Sequence, residues 1–353
     1  MVTGAPKRLS RIVSLASAMT LGLAAIMPTS TMAAAYASPQ PPASHWITST
    51  NYRYPGNDGK HHAVSWDKYS YMIDDHHLNI WSGEVHYWRL PSPHQWRDVL
   101  QKMKAAGFNA VSFYFFWGYH QSAPDSPFDF SGIRNIDLLL RMAAEEGLYV
   151  IARPGPYINA EISMGGMPAW QTNSSLPLRN AWDNTNWQQQ RAWLHAVNKI
   201  IARHQVTNGG GSVLLYQVEN EELASVGPYA DYVKKIIKAA KEDGINVPIF
   251  HNDYAPVGNW AFTTKDTGLD VYSYDDYPIR FDCSATRHKL QDHNWHIDPA
   301  FRAAHHSPHF IAEAQGGAFT PWGASFNASA CEKFVDANFY RQWAALNNGA
   351  GVT

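Results

Sequence analysis

Val213-Leu214-Leu215-Tyr216-Gln217-Val218, followed at once by Glu219-Asn220-Glu221-Glu222, is the stretch on which the reading of the fold turns. Six residues with Gln217 as the one strongly polar member do not alternate between a wet and a dry face. Such a run suits a strand covered on both sides, as in a parallel sheet flanked by helices. The polar residues after Val218 then stand where the strand ends.

The flanking sequence supports that reading in both directions. Upstream lies a helical pattern carrying Trp187, Leu194, Val197 and Ile201. Downstream, Tyr229 to Asp243 places Tyr232, Val233, Ile236, Ile237 and Ala240 on one face and stops at Gly244, a residue suited to a helix end. Leu78–Glu84, Ala110–Tyr114 and Leu148–Arg153 read as three earlier strands, and Pro248–Phe250, Leu269–Tyr274 and His309–Glu313 as three later ones. Between the first two, Ser92 is placed to cap a helix with Pro93 at its first position. That helix repeats Trp96, Val99, Leu100, Met103 and Ala106, and ends at Gly107. A helix with Ile136, Leu139, Leu140 and Ala143 ends at Gly147, and a last one is expected from Glu332 to Leu346.

Strict alternation of strand and helix predicts an α/β fold with a parallel sheet. Seven such units, with polar residues gathered past the strand ends, favour a TIM (β/α)8 barrel. No G-x-G-x-x-G follows the first strand, which argues against a dinucleotide-binding, doubly wound sheet. An eighth strand would begin about where Gly349-Ala350-Gly351-Val352-Thr353 stands. The expectation is therefore a barrel truncated before its eighth strand, occupying residues 76–353.

The remaining segments read differently. Residues 1–37 have a secretory layout: Lys7, Arg8 and Arg11, an apolar run from Ile12 to Ile26, then Ala35-Tyr36-Ala37. Residues 38–75 are a Pro-rich connector and an irregular or β lead-in. No other stretch approaches 18 apolar residues, so no membrane partner is expected after leader removal, and the chain is expected to be secreted. Export permits disulfides, and the two cysteines, Cys283 and Cys331, are either paired or two separate buried thiols.

The formal net charge of the 353 residues is −2, which provides no basic footprint for nucleic acid. Charged residues are 16% and aromatics 13%, with 14 Trp; rings on this scale suit either a sugar-stacking cleft or a large aromatic core. Two carboxylates carry the chemistry under consideration, Glu221 after strand four and Glu313 at the end of strand seven. Glycoside hydrolysis needs such a pair, one to protonate the leaving oxygen and one to attack the anomeric carbon or activate water. Solvated loop carboxylates would read the same way.

Longer motifs narrow the choice. Ser82-Gly83-Glu84-Val85-His86-Tyr87-Trp88-Arg89-Leu90-Pro91 resembles the opening signature of glycoside hydrolase family 35, as does Ala106-Gly107-Phe108-Asn109-Ala110-Val111-Ser112-Phe113-Tyr114-Phe115-Phe116-Trp117. Ala152-Arg153-Pro154-Gly155-Pro156-Tyr157-Ile158-Asn159-Ala160-Glu161 and Gly165-Gly166-Met167-Pro168-Ala169-Trp170 are similar in the same order, and so are Gln217 to Glu221 and Glu313 to Gly317. The resemblance runs from about Trp66 to the C-terminus.

It implies a retaining exo-β-galactosidase with a TIM-barrel catalytic domain, acting on a galactoside or galactan oligosaccharide without cofactor or metal. Glu221 would be the acid/base and Glu313 the nucleophile, about 5–5.5 Å apart. Tyr114, Asn159, Ala160, Glu161, Asn220 and Tyr277 would bind galactose, and Cys283 and Cys331 would form a bridge. From the residues alone, Tyr114 also fits a barrel-layer aromatic, Glu161 a salt-bridge partner of Arg153, and Tyr277 a turn residue. Arg153 and Glu84 read as structural, His86 as a hydrogen-bond partner, and Trp117, Trp170 and Trp322 as mouth or core residues. Glu222-Leu223 departs from the Tyr and small residue usual in the family. The other functions considered are another retaining β-glycosidase, a galactoside-binding remnant without turnover, and a metal-dependent barrel hydrolase. The last would want His-x-His after strand one, where Glu84-Val85-His86 stands.

Overall fold

A computed structural model of the 353-residue chain describes residues 54–173, 178–181, 184–223, 225–261, 264–277 and 306–314, with six residues of a helix between 337 and 345. The leader, both cysteines, Trp322 and Gly316-Gly317 lie outside the described residues, as does most of the expected last helix.

Three short strands come first: β1 (Val64–Trp66), β2 (Tyr71–Ile73) and β3 (His76–Leu78), paired antiparallel in that order. Asp74 and Asp75 join β2 to β3 with φ of 49° and 64°. Two consecutive left-handed residues give a hairpin loop whose twist matches its strands, and Asp tolerates that conformation. The Asp74 carboxylate also accepts from the Ala63 amide at 2.8 Å.

This corrects one expectation. Leu78 belongs to the hairpin, so the first strand of the large sheet is only β4 (Ser82–Glu84). The lead-in is an ordered sheet that straddles the expected boundary at residue 75. It sits at the entry ends of the large sheet: His62 N–H donates to Val206 O at 3.1 Å, and the Tyr71 ring meets Phe310 edge-on at 5.6 Å.

From β4 the chain alternates. In order come α1 (Pro93–Ala105), β5 (Ala110–Tyr114), α2 (Trp117–His120), α3 (Ile136–Glu145), β6 (Tyr149–Arg153), α4 (Asn184–Ile201), β7 (Val213–Gln217), α5 (Gly227–Glu242), β8 (Ile249–Asp253), α6 (Thr264–Thr267), β9 (Val271–Asp276) and β10 (Ile311–Ala314). Strands β4 to β10 pair parallel in sequence order. A doubly wound sheet reverses its strand order at a switch point. Unbroken order instead follows the wall of a curling TIM-type barrel.

Every residue of β5, β6, β7, β8 and β9 is buried, as strands covered on both faces must be. Trp96, Leu140, Val197 and Ile236 bring the apolar stripes of α1, α3, α4 and α5 onto that sheet. Local sequence sets the helix ends. Ser92 Oγ accepts from the Gln95 amide at 3.4 Å, and Gly107, Gly147 and Gly244 take φ of 95°, 71° and 99° where their helices stop.

The strand limits also move. β8 continues past Phe250 through His251, Asn252 and Asp253, and β9 past Tyr274 through Asp275 and Asp276. Polar residues at a strand's end read as loop when only apolar runs are counted. Here they remain in the ladder, with Asn252 bonded to Gln217 and Asp275, and one oxygen of Asp253 accepting from the Tyr272 hydroxyl at 2.9 Å.

Candidate active site

The C-terminal ends of β4 to β10 bring polar side chains together around Arg153. This guanidinium is 1% exposed and lies 3.9 Å from the centre of the Tyr114 ring. Its Nε donates to Gln217 Oε1 at 2.7 Å and Nη1 to Glu84 Oε2 at 2.8 Å. Its Nη2 donates to Asn220 Oδ1 at 3.0 Å and to Glu313 Oε1 at 2.5 Å. The alternative reading of Glu161 as a salt-bridge partner of Arg153 is not met among the described residues, where Arg153 pairs with Glu84 and Glu313. Its partners come from β4, β7 and β10, and one of them is Glu313. Glu84 is not fully buried, with its side chain 34% exposed.

Glu313 on β10 is held by three donors. Besides Arg153, the Tyr114 hydroxyl donates to Oε1 and the Tyr277 hydroxyl to Oε2. Burial alone would push its carboxyl up, but the Arg153 charge and the two phenols prevail and hold it below the usual glutamate value.

Glu221 has a different setting. It follows β7 in a turn where Glu219 and Glu221 take φ of 59° and 50°. Left-handed non-glycine residues cost of order 1–3 kcal/mol each, so the turn needs external support. Arg179 supplies it: Nε and Nη2 reach the two Glu219 oxygens at 2.7 Å each, and Nη2 also reaches Asn220 O at 2.6 Å. The Arg179 guanidinium lies over the Tyr157 ring at 4.0 Å. Desolvation, then the nearby Glu313 charge, pushes the Glu221 carboxyl up, against a hydrogen bond from Asp275 that lowers it.

Asn220 lies between the two carboxyls. Its Oδ1 accepts from Tyr114 at 2.8 Å and from Arg153, and its Nδ2 donates to Glu221 Oε2 at 3.3 Å. These contacts fix which way the amide faces. Asn252 supports the same turn: its Oδ1 accepts from Gln217 Nε2 at 2.8 Å and from the Glu221 amide at 3.3 Å.

Asn159, Ala160 and Glu161 are three successive left-handed residues, with φ of 52°, 52° and 48°. Arg89 Nη2 holds the Ala160 carbonyl at 2.9 Å. Arg89 Nε also donates to His86 Nδ1 at 3.0 Å, so that nitrogen accepts and the proton sits on Nε2, 2.7 Å from Glu84 Oε1. A continuous polar path thus runs from Glu313 through Arg153, Glu84, His86 and Arg89 to the 159–161 turn. Partial desolvation, then Glu313 and Glu84, pushes the Glu161 carboxyl up.

Of the sequence-predicted residues, Tyr114, Asn220, Tyr277, Glu221 and Glu313 are joined in one network, and Glu161 is within electrostatic reach of it. Cys283 and Cys331 fall outside the described residues. Trp117 is core, stacked on Trp193 at 6.4 Å. Glu222 is buried with its carboxylate 3.5 Å from Arg179, while Leu223 is exposed. Sequence reasoning missed Asn252 and Asp275; polar residues ending β8 and β9 were the available signal.

Comparison with known proteins gives the same outline. The model of the family described as "Glycosyl hydrolases family 35" matches residues 70–347. Proteins named "Probable beta-galactosidase C" from Aspergillus flavus and Aspergillus fumigatus are each 38% identical, over 315 and 309 residues, covering 87% and 84% of this chain and 32% and 31% of theirs. The chain thus spans about a third of the length of these relatives. Among solved structures, one titled "Glycoside hydrolase" aligns with a TM-score of 0.53 at 13% identity, over 83% of this chain and 64% of that one. An exo-beta-1,4-mannosidase from Opitutaceae bacterium strain TAV5 aligns with a TM-score of 0.50 at 14% identity, over 78% of this chain and 51% of that one. At such identities the likeness is one of fold.

Proposed function

The chain belongs to glycosyl hydrolases family 35, and from that premise we propose that it is a retaining exo-β-galactosidase that removes terminal β-galactosyl residues by double displacement. The observation that carries this reading is the opposite setting of two glutamates at one strand-end cluster, Glu313 held ionised by Arg153, Tyr114 and Tyr277, and Glu221 pushed towards its neutral acid. Double displacement needs that division of roles.

In this mechanism Glu313 attacks the anomeric carbon while Glu221 gives its proton to the departing oxygen. Water then attacks the same carbon from the opposite face, Glu221 takes its proton, and Glu313 leaves. Arg153 keeps Glu313 ionised and aimed in the free enzyme. The phenols of Tyr114 and Tyr277 hold the Glu313 oxygens until one of those oxygens bonds to carbon. Asn220 orients the Glu221 carboxyl. Asn159, the Ala160 backbone and Glu161 present donors and acceptors suited to sugar hydroxyls, which need partners once desolvated. The name of the fungal relatives supports a β-galactoside as substrate. The reading extends to export of the chain after loss of residues 1–37, and to a Cys283–Cys331 bridge. Two titratable thiols in the denatured, unreduced, exported protein would contradict that bridge.

The test is stereochemical. Proton NMR of an aryl β-galactoside during early turnover is expected to show the β anomer of galactose first. Release of the α anomer first would overturn retention.

A further inference from the structure

A third carboxyl group stands beside Glu221. Asp275 lies near the end of β9 and is 1% exposed. Asn252 Nδ2 donates to its Oδ2 at 2.7 Å. Among the described residues, no N–H or O–H group donates to its Oδ1. Asn252 links Asp275 to Glu221, because its Oδ1 accepts from the Glu221 amide at 3.3 Å, and Glu313 stands opposite Asp275 in the register of β9 and β10. Ionised carboxylates only accept hydrogen bonds, so any hydrogen bond between the Asp275 and Glu221 carboxyls requires a proton on one of them.

Resting on the reading of Glu221 as acid/base, we propose that Asp275 is a positioning residue that keeps its own proton through the cycle and donates a hydrogen bond to Glu221 whenever Glu221 is ionised.

The groups facing Asp275 support this from every side. Glu221 after β7 and Glu313 on β10 are both acidic. Asn252 on β8 is neutral, and the nearby Tyr277 phenol is bonded to Glu313. Arg153 on β6 is the nearby cation, and its hydrogen bonds go to Glu84, Gln217, Asn220 and Glu313. Among the described residues Glu313 therefore has the cation and both phenols, while Asp275 has one neutral amide. Burial, then Glu313 and Glu221, pushes the Asp275 carboxyl well above the ordinary aspartate value.

The role follows the reaction. When Glu221 protonates the leaving oxygen, the glycosidic bond breaks and Glu221 becomes a carboxylate beside two other acids. A protonated Asp275 then donates to it, so the new charge meets a donor and not a second bare anion. When Glu221 takes the proton of the attacking water, the bond relaxes. Asp275 begins and ends protonated, and no net proton is drawn from it.

An asparagine matches a neutral aspartic acid in shape and donates permanently. Asp275→Asn in the full chain is expected to keep kcat/KM within about threefold, with the alkaline limb of its pH profile in place. Asp275→Ala removes the donor, and that limb is expected to rise by about one pH unit. Were Asp275 ionised, Asp275→Asn would remove a negative charge and lower the limb by a similar amount, which would overturn the proposal. If the alanine variant fails to fold, infrared difference spectra provide the second readout. A protonated-carboxyl band present at neutral pH in Glu221→Gln and missing from Glu221→Gln/Asp275→Asn is expected; its absence from the first variant would overturn the proposal. Equal losses by Glu221→Gln on activated and poor leaving groups would reject the acid/base reading, and the role assigned to Asp275 with it, while the infrared band still reports whether Asp275 holds a proton.

Discussion

Glu313 and Glu221 are the same residue type, drawn into one cluster by strands β10 and β7, yet their surroundings push them apart. Glu313 receives a guanidinium and two phenols. Glu221 receives the Asn220 amide and the contact of a second acid, and it hangs from a left-handed turn clamped by Arg179. Desolvation acts on both. The difference is whether a cation offsets it. One carboxyl of the pair becomes a standing anion and the other a proton carrier, with no contribution from the residue type itself.

The largest effect is expected from removing the standing anion. Glu313→Gln should lower turnover by on the order of 10⁴- to 10⁶-fold on every substrate, as loss of a nucleophile does. Steady-state rates on aryl galactosides check this, and a loss confined to poor leaving groups would exchange the two roles. Glu221→Gln should cost about 10²- to 10⁴-fold with poor leaving groups and far less with activated ones. A series of aryl galactosides with graded leaving groups measures that slope.

Arg153→Met isolates the cause of the contrast. Without the cation, burial dominates at Glu313, and the acid limb of kcat/KM should move up by about 1–3 pH units. Breaking this buried pair should also cost about 3–5 kcal/mol in stability, read by denaturant unfolding. An unmoved acid limb would mean that the phenols alone keep Glu313 ionised.

Stability against pH should show both signs. The lowered carboxyl of Glu313 contributes stability above the ordinary glutamate value, lost as pH falls through its lowered value. The raised carboxyls of Glu221 and Asp275 contribute stability below their ordinary values, lost as pH rises through their raised ones. Thermal unfolding across pH should therefore decline on the alkaline side of the ordinary carboxyl range, and Asp275→Asn should flatten that decline. Smallest of all, Ser92→Ala should lower stability by about 1 kcal/mol through the cap of α1 and leave both limbs of the activity profile where they are.

Much of this was legible in the sequence because apolar runs and their punctuation are local signals. The run 213–218 announced a buried strand, and Gly107, Gly147 and Gly244 marked the helix ends that the structure shows. The pair Glu221 and Glu313 and its neighbours Tyr114, Asn220 and Tyr277 came from motifs. What escaped was long-range. Arg153 looked structural because nothing local says that its partners come from β4, β7 and β10. Asn252 and Asp275 fall past the apolar runs that mark strands locally, and the pairing that keeps them in the ladder comes from neighbouring strands. Asp74-Asp75 hid a hairpin because the left-handed conformation was carried without glycine.

The assignment of roles is tested most directly by trapping the first intermediate. The full chain is incubated with a 2-deoxy-2-fluoro-β-galactosyl fluoride, and its peptides are sequenced by mass spectrometry. One glycosyl adduct, carried by the peptide bearing Glu313 on its carboxyl group, is the predicted result. An adduct on Glu221, or turnover to an inverted product with no adduct at all, would contradict the division of labour between the two glutamates.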